Sequence, residues 1–342
     1  MAAAPEHSRP EVPAHGAPVP VAPGVAWLRM PLPFRLDHIN LWLLDDGTGR
    51  TLVDSGINRP EVQDAWRDVF AGPLVERPAR RLIVTHFHPD HIGLAGWLST
   101  ELDIPLWATE REWLMGRLAG ADRGDDRTES RRAFYRGHGA DGAIVKSLDQ
   151  WFGSYRISVS PVPPSFRRIA DGDEIDIDGR PWRVITGGGH SPEHACLHDP
   201  ETATLISGDL VLPRITPNVA VWDTQPEADP LAGYLAALDR LRGLPEDTLV
   251  LPSHGRPFHG LHRRLDELEG HHRDRLDETL AACAEPRSAI EIVPVLFRRA
   301  LDVHQTALAI GEALAHLHCL VGQGRLTRTR DDDGVVLFQR TS

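Results

Sequence analysis

The sequence predicts an α/β protein: two mixed sheets packed face to face with helices outside, followed by a small module of helices and a β-ribbon. Three observations carry this. Short apolar runs bounded by Pro, Gly and Asp alternate with helical spacing, in two successive halves of similar pattern. Chemically unusual polar residues stand where those apolar runs end. Beyond Pro286 helices come first and two strands last.

Residues 1–23, rich in Ala and Pro, have neither a basic start nor an apolar core, so they read as a flexible tail rather than a secretion signal. "VAWLRMPLPF" and "HINLWLLDD" then read as strands, "DDGTGR" as a hairpin turn and "TLVDSGI" as the next strand. Val62, Trp66 and Val69 give "RPEVQDAWRDVF" helical spacing. "RRLIVTHFHPDHIGLAGWLSTEL" is a buried strand running through a histidine cluster into a helix that begins near Asp90. After the strand "IPLWAT" comes a polar, helix-rich insert, about residues 110–165.

From Arg167 strands resume in "RRIADGDEIDIDG", "RPWRVITGGG" and "ACLHDPETATLISGD". The helix "PLAGYLAALDRLRGL" and the strand "TLVLPSHG" close a core unit expected over 24–262. Residues 263–342 read as a charged linker helix that Pro286 breaks, two further helices, and two strands around an Asp-Asp-Asp-Gly turn. That order resembles a winged-helix module.

Composition narrows the partners. No apolar run approaches the roughly 18–20 residues that span a bilayer, so no transmembrane helix is expected. The net charge of −12 disfavours non-specific attraction to nucleic acid or to an anionic membrane. Cys196, Cys283 and Cys319 are odd in number and lack C-x-x-C spacing, which suits a reduced cytoplasm rather than a disulfide framework.

The chemistry concentrates in "THFHPDHIGL". His86 and His88 alternate at strand spacing and leave one face of the strand's end, while Asp90 and His91 sit on the turn that follows. His190 closes "ITGGGH", Asp209 lies in "LISGDLV" and His254 in "LVLPSHG", each after an apolar strand. Neutral imidazole and carboxylate are donors a zinc-type ion prefers. A lone loop histidine is ordinary, but seven groups in the same kind of position point to metal.

The order H-x-H-x-D-H, a Gly-rich G-H, S-G-D and a final S-H-G resembles the metallo-β-lactamase superfamily over roughly Val25 to Gly260, and "TLVDSG" around Asp54 fits an early motif of that family. The resemblance implies an αβ/βα sandwich with a dinuclear site at one edge, as in glyoxalase II and its relatives. By position it implies one metal on His86, His88 and His190, a second on Asp90, His91 and His254, and Asp209 as the bridge. The zinc lactamases with a cysteine ligand differ at that bridging position. Two Zn²⁺ are expected, with Mn²⁺ or Fe as alternatives for the same donors.

The expected chemistry is hydrolysis, a metal-bridging hydroxide attacking an ester or thioester carbonyl. Asp90 and Asp209 are then catalytic as well as ligating, and Asp54 is expected to hydrogen-bond a ligand imidazole or nearby backbone, plain stabilisation of its turn being the alternative. His194 either donates to a developing oxyanion or is satisfied by backbone. His198, His259, His262, His271 and His272 are expected to be solvated. The insert reads as an amphipathic element whose aromatics pack on the domain. Its alternative reading is an apolar lid of Trp113, Leu114, Met115, Phe134, Trp151, Phe152 and Tyr155, edged by Arg131, Arg132, Arg136 and Arg156. Arg214 or Asn218 are candidates to reach the substrate.

The substrate expected is a small ester or thioester (acyl-CoA-like, hydroxyacylglutathione-like or a lactone), the chain a monomer or homodimer in the cytoplasm. The C-terminal module also resembles a branch containing a β-lactamase-like endoribonuclease, so a metal-dependent nuclease is the alternative. Against it, residues 286–342 hold seven arginines and six acids, where a nucleic-acid module would carry a clear basic surplus. β-Lactam hydrolysis and a non-catalytic binding scaffold rank below, the complete ligand set arguing against the latter.

Overall fold

A computed structural model of the protein describes residues 11–34, 36–121, 125–152 and 155–341, and within these the side chains of residues 125, 126, 150–152, 303 and 304 lie outside the description. Among the described residues the strands form three sheets. The first runs β1 (Val19–Ala22), β2 (Val25–Pro31), β3 (His38–Asp46), β4 (Gly49–Val53), β5 (Ala79–Ile83), β6 (Leu106–Ala108) and β7 (Arg167–Arg168), in that spatial order. Its first three pairings are antiparallel and the rest parallel. The second is ordered β12-β11-β10-β9-β8, from β8 (Glu174–Ile177), β9 (Arg180–Gly187), β10 (His194–Asp199), β11 (Thr204–Gly208) and β12 (Leu249–Pro252).

The two sheets pack face to face because most central strands are apolar on both sides. In β3, Trp42 and Leu44 enter the cluster between the sheets with Trp27, Val53, Ile83, Trp182, Leu197 and Ile206. Leu41 and Leu43, one residue out of phase, face outward into a second cluster. There they meet Val62, Trp66 and Val69 of α1 (Pro60–Ala71), as the helical spacing predicted, and Leu98 of α4 (Ala95–Glu101), beyond the short helices α2 (Pro73–Glu76) and α3 (Pro89–Ile92). Each such side chain, fully buried, contributes about 1.5–3 kcal/mol.

The insert forms α5 (Glu110–Ala121), α6 (Asp125–Arg136), α7 (Gly142–Phe152) and α8 (Tyr155–Ser158). On the outer face of the second sheet lie α9 (Pro230–Leu241), α10 (Leu261–Ala282), α11 (Ala289–Leu296) and α12 (Val303–Gly322), sharing one cluster with Cys196, Leu205 and Val250. Capping boxes at Ser288–Glu291 and Asp302–Gln305 begin α11 and α12. The chain closes with the ribbon of β13 (Leu326–Arg330) and β14 (Val336–Arg340). The result is a mixed α/β sandwich with a C-terminal helical domain and a small sheet.

Some expectations need correction. The expected tail over 1–23 gives way before its end: Val19–Ala22 pairs with β2, and Gly16 N–H donates to Arg29 O at 3.2 Å. Residues 1–10 of that expected tail lie outside the described residues. His272 is not a surface residue but is buried against His316, with Nδ1 3.3 Å from its Nε2, and His198 is buried as well.

The insert's described aromatics, Trp113, Phe134 and Tyr155, pack on the domain, as expected. Trp113 stacks on Phe166 with centroids 4.4 Å apart and donates to Pro163 O, Phe134 joins the cluster of the C-terminal helices, and Met115 is half-buried. Leu114, Arg136 and Arg156 are exposed, while Arg131 lies 3.6 Å from Asp223 and Arg132 pairs with Asp149. The side chains of Trp151 and Phe152 lie outside the described residues.

Candidate metal centre

All seven candidate ligands stand just beyond the carboxyl ends of strands at one edge of the sandwich, where a loop is free of sheet pairing but anchored on one side by it. His86, His88, Asp90 and His91 follow β5, His190 follows β9, Asp209 follows β11 directly, and His254 follows β12. Ala195 N–H donates to Thr85 O at 2.9 Å, and Asn40 N–H donates to Ser253 O at 2.7 Å, stitching the two sheets together beside the site.

The donor atoms converge in three overlapping groups. Those of His86, His88 and His190 lie within 4.8 Å of one another, as do those of Asp90, His91 and His254, and those of His86, His91 and Asp209. Asp209 joins the first two groups: its Oδ2 is 3.5 Å from His190 Nε2, and its Oδ1 is 3.4 Å from His254 Nε2 and 3.6 Å from His91 Nε2.

Hydrogen bonds fix which nitrogen of each imidazole faces inward. His190 Nδ1 donates to Asn218 O at 2.8 Å, His254 Nδ1 to His38 O at 2.9 Å, and His91 Nδ1 to Asp54 Oδ2 at 2.8 Å. His86 Nδ1 lies 3.1 Å from the Thr85 hydroxyl. Each of these rings therefore turns its Nε2 toward the centre.

Asp54 adopts a left-handed conformation, φ 63°, which costs a non-glycine residue about 1–3 kcal/mol. There its carboxylate also accepts the Thr85 N–H at 2.7 Å and the Thr85 hydroxyl at 2.8 Å, while Ser55 N–H and Oγ both donate to His91 O.

Glycine is required at two places. A Cβ on Gly189, φ +104°, would stand 2.4 Å from Tyr234 Cβ, and one on Gly208, φ +53°, would stand 2.4 Å from the His194 ring. The second packing places His194. It is fully buried, its Nε2 accepts the Asp209 N–H at 3.0 Å, and its Nδ1 faces the Cys196 sulfur at 3.9 Å. Of the two readings of His194, the structure has the backbone one: it stands behind the site and holds the Asp209 N–H. Arg214 is exposed, and Asn218 serves the site through its carbonyl.

Electrostatics separates the imidazoles. Burial, aided by the neighbouring His91, drives His86 well below the usual histidine range, and burial with His190 brings His88 to about 3. For His254 burial pulls down but Asp209 and Asp90 prevail, raising it to about 10. His91 is likewise raised, by Asp54, Asp90 and Asp209. Burial would raise Asp90, yet His91 and His254 hold it at about 2.

The donor set fits cations. His86 Nε2 lies 3.0 Å from His88 Nδ1 and 3.2 Å from His190 Nε2, and because His86 Nδ1 is turned to the Thr85 hydroxyl and His190 Nδ1 to Asn218 O, the two Nε2 atoms face each other across the second contact. His91 Nε2 and Asp209 Oδ1 are buried and have no hydrogen-bond partner among the described residues. Buried polar atoms are rarely left so, and a nitrogen–oxygen donor set of this kind suits a zinc-type ion.

Sequence reasoning missed Glu112. It is fully buried on α5 and accepts the Phe87 and Glu193 N–H groups at 2.9 and 2.6 Å. Nothing local in a polar helix marks it.

Residues 35–254 match the family described as metallo-beta-lactamase superfamily, and residues 276–341 match a metallo-beta-lactamase-like C-terminal domain. The crystal structure of a beta-lactamase domain protein from Burkholderia ambifaria is similar over 98% of this chain and 97% of its own, with 47% identity and a TM-score of 0.90. The probable metallo-hydrolase YqjP of Bacillus subtilis is 24% identical over 312 residues, 88% of this chain and 93% of its own length. The acyl-coenzyme A thioesterase MBLAC2 of Gallus gallus is 27% identical over 247 residues, 70% of this chain and 80% of its own.

Proposed function

The chain belongs to the metallo-β-lactamase superfamily, and from that premise we propose that His86, His88 and His190 hold one zinc ion, Asp90, His91 and His254 a second, and Asp209 both. The protein is a metallo-hydrolase, and we infer that it cleaves an ester or thioester carbonyl, with acyl-coenzyme A as the preferred class. The observation that carries the reading is the division of the Asp209 carboxylate, one oxygen toward each group of ligands. Two divalent ions bound there would supply hydroxide at neutral pH and polarise the substrate oxygen.

The chain's own groups do the rest. Asp90, ionised and partly open to solvent beside His254, accepts a hydrogen bond from the attacking water and orients it. His194 fixes the Asp209 backbone so that its carboxylate keeps both directions. Thr85, Asp54, Asn218 and His38 hold the imidazoles at the angles they need.

The thioester preference is supported by the name of the chicken relative and by charge. A net −12, and a C-terminal unit with no basic surplus, suit a polyanionic strand poorly. We assign that unit, 263–342, to packing on the catalytic unit, since α12 reaches the segment that carries Asn218.

Metal analysis of the purified protein is expected to give about two zinc-type ions per chain. Turnover is then to be measured on acyl thioesters, lactones, a β-lactam and single-stranded RNA, before and after chelation. An active, metal-free protein overturns the metal reading, and cleavage of RNA alone overturns the substrate class.

A further inference from the structure

The insert reaches the candidate metal centre by way of its backbone, and the proposed chemistry leaves that contact unexplained. Glu112, on the first turn of α5, splits its carboxylate between two loops: Oε2 accepts the Phe87 N–H and Oε1 the Glu193 N–H. Phe87 stands between His86 and His88. Glu193 lies in the stretch from His190 to His194. These loops leave β5 and β9, which belong to different sheets.

Neighbouring contacts strengthen the join. Thr109 Oγ1 donates to Glu193 O at 2.8 Å, and Arg111 N–H donates to the Glu193 carboxylate at 3.1 Å. On the other side, the Tyr155 hydroxyl of α8 donates to Phe87 O at 2.8 Å. The insert thus holds Phe87 by both its N–H and its C=O.

A fully buried carboxylate is a costly spacer, and an apolar residue would fill the same volume without desolvating a charge. What a carboxylate adds is two acceptors on one rigid plane, able to bind two separate N–H donors at a fixed spacing. Burial pushes the Glu112 carboxyl up to about 7, a cost the fold offsets with those two bonds.

We propose that Glu112 is a positioning residue that fixes the distance between the two ligand loops, so that His86, His88 and His190 close around one ion, with Tyr155 holding the opposite edge of Phe87. This rests on the ligand assignment proposed above. It gives the insert a role distinct from a lid: it sets how tightly the first ion is held.

The test uses full-length protein stripped of metal, titrated with zinc against a chromophoric chelator, with amide hydrogen exchange followed at Phe87 and Glu193. Glu112→Gln keeps shape and volume but turns one acceptor into an NH₂ group facing an N–H. Its zinc affinity is expected to fall about 10–100-fold, the usual effect of losing a partner that orients a ligand. Exchange at Phe87 or Glu193 should quicken, while the unfolding midpoint of the metal-free protein stays near that of wild type. Wild-type affinity in folded Glu112→Gln overturns the proposal, because a role in packing alone would tolerate the isostere.

Should Glu112→Gln not fold, Tyr155→Phe decides. It removes one hydroxyl and should weaken zinc binding by on the order of tenfold, and unchanged affinity overturns the proposal. A wild-type protein that takes up no zinc overturns the ligand assignment itself, and the positioning role with it, which is a different result from equal binding by wild type and variant.

Discussion

Asp54 Oδ2 accepts a 2.8 Å hydrogen bond from His91 Nδ1, and both side chains are shut off from solvent. The bond fixes the tautomer of His91 and leaves its Nε2 as the inward donor. Asp54→Asn keeps the shape but weakens that acceptor and offers an NH₂ in its place. Zinc affinity should drop about 10–100-fold with little change in secondary structure. Chelator competition measures it, and wild-type affinity would remove Asp54 from the site's support.

Asp209→Ala deletes the carboxylate whose two oxygens face the two ligand groups. Metal content should fall below two ions per chain, and thioester turnover by more than about 100-fold, beyond the loss expected for an outer partner. Circular dichroism should be near that of wild type, because the backbone N–H of residue 209 still donates to His194. Retained turnover with full metal content would contradict the bridging role.

Glu312 of α12 accepts from Asn218 Nδ2 at 3.4 Å, and burial pushes its carboxyl from the usual 4.5 to about 7 despite Asn218 and Arg275. Between those values the folded chain keeps a proton that the unfolded chain has released. Its contribution to stability is therefore complete below 4.5 and is lost as the pH rises through about 7. Glu112, pushed to about 7 by burial, acts in the same direction. The melting temperature of metal-free Glu312→Gln, relative to wild type, should be higher at about pH 8 than at about pH 5. Thermal scans at both pH values check it, and a difference that does not change with pH would contradict it.

Gly311 lets α12 lie against the segment leading from Asn218. Its carbonyl accepts the Val221 N–H at 3.0 Å, and a Cβ there would meet Ala220 Cβ at 2.8 Å and Val221 O at 3.0 Å. Gly311→Val should destabilise the protein by about 1–3 kcal/mol through overpacking. Urea unfolding gives the number, and a neutral result would show that the contact yields freely.

What could be read in the sequence follows from how local each signal is. The fold was legible because strands buried on both faces must be apolar throughout, and "HINLWLL" is. The candidate ligands were legible because each is a polar residue where such a strand ends, and four of them share one turn. Glu112 was not, because its partners lie 25 and 81 residues away and its helix carries no telling pattern. His272 was misread for the same reason: it sits on a charged helix, and its partner His316 lies 44 residues further on. Val19–Ala22 looked like tail because residues 1–23 are rich in Ala and Pro and hold no apolar core. At the sheet's edge, where one side of the strand has no neighbouring strand among the described residues, a proline is tolerated. The role of His194 was not legible because its partner, the Asp209 N–H, lies 15 residues further on.

Because the ligand atoms come from loops on both sheets, no early fragment of the chain encloses an ion. A nascent polypeptide that has released only Thr85–Leu94 offers imidazoles without a cage. The cage needs β12 seated beside β11, and the wall behind His190 needs the last long helix against Val221. With the proposed ligands, ion capture would therefore be a late event, and zinc pulsed into a refolding reaction should be retained only with the final native phase.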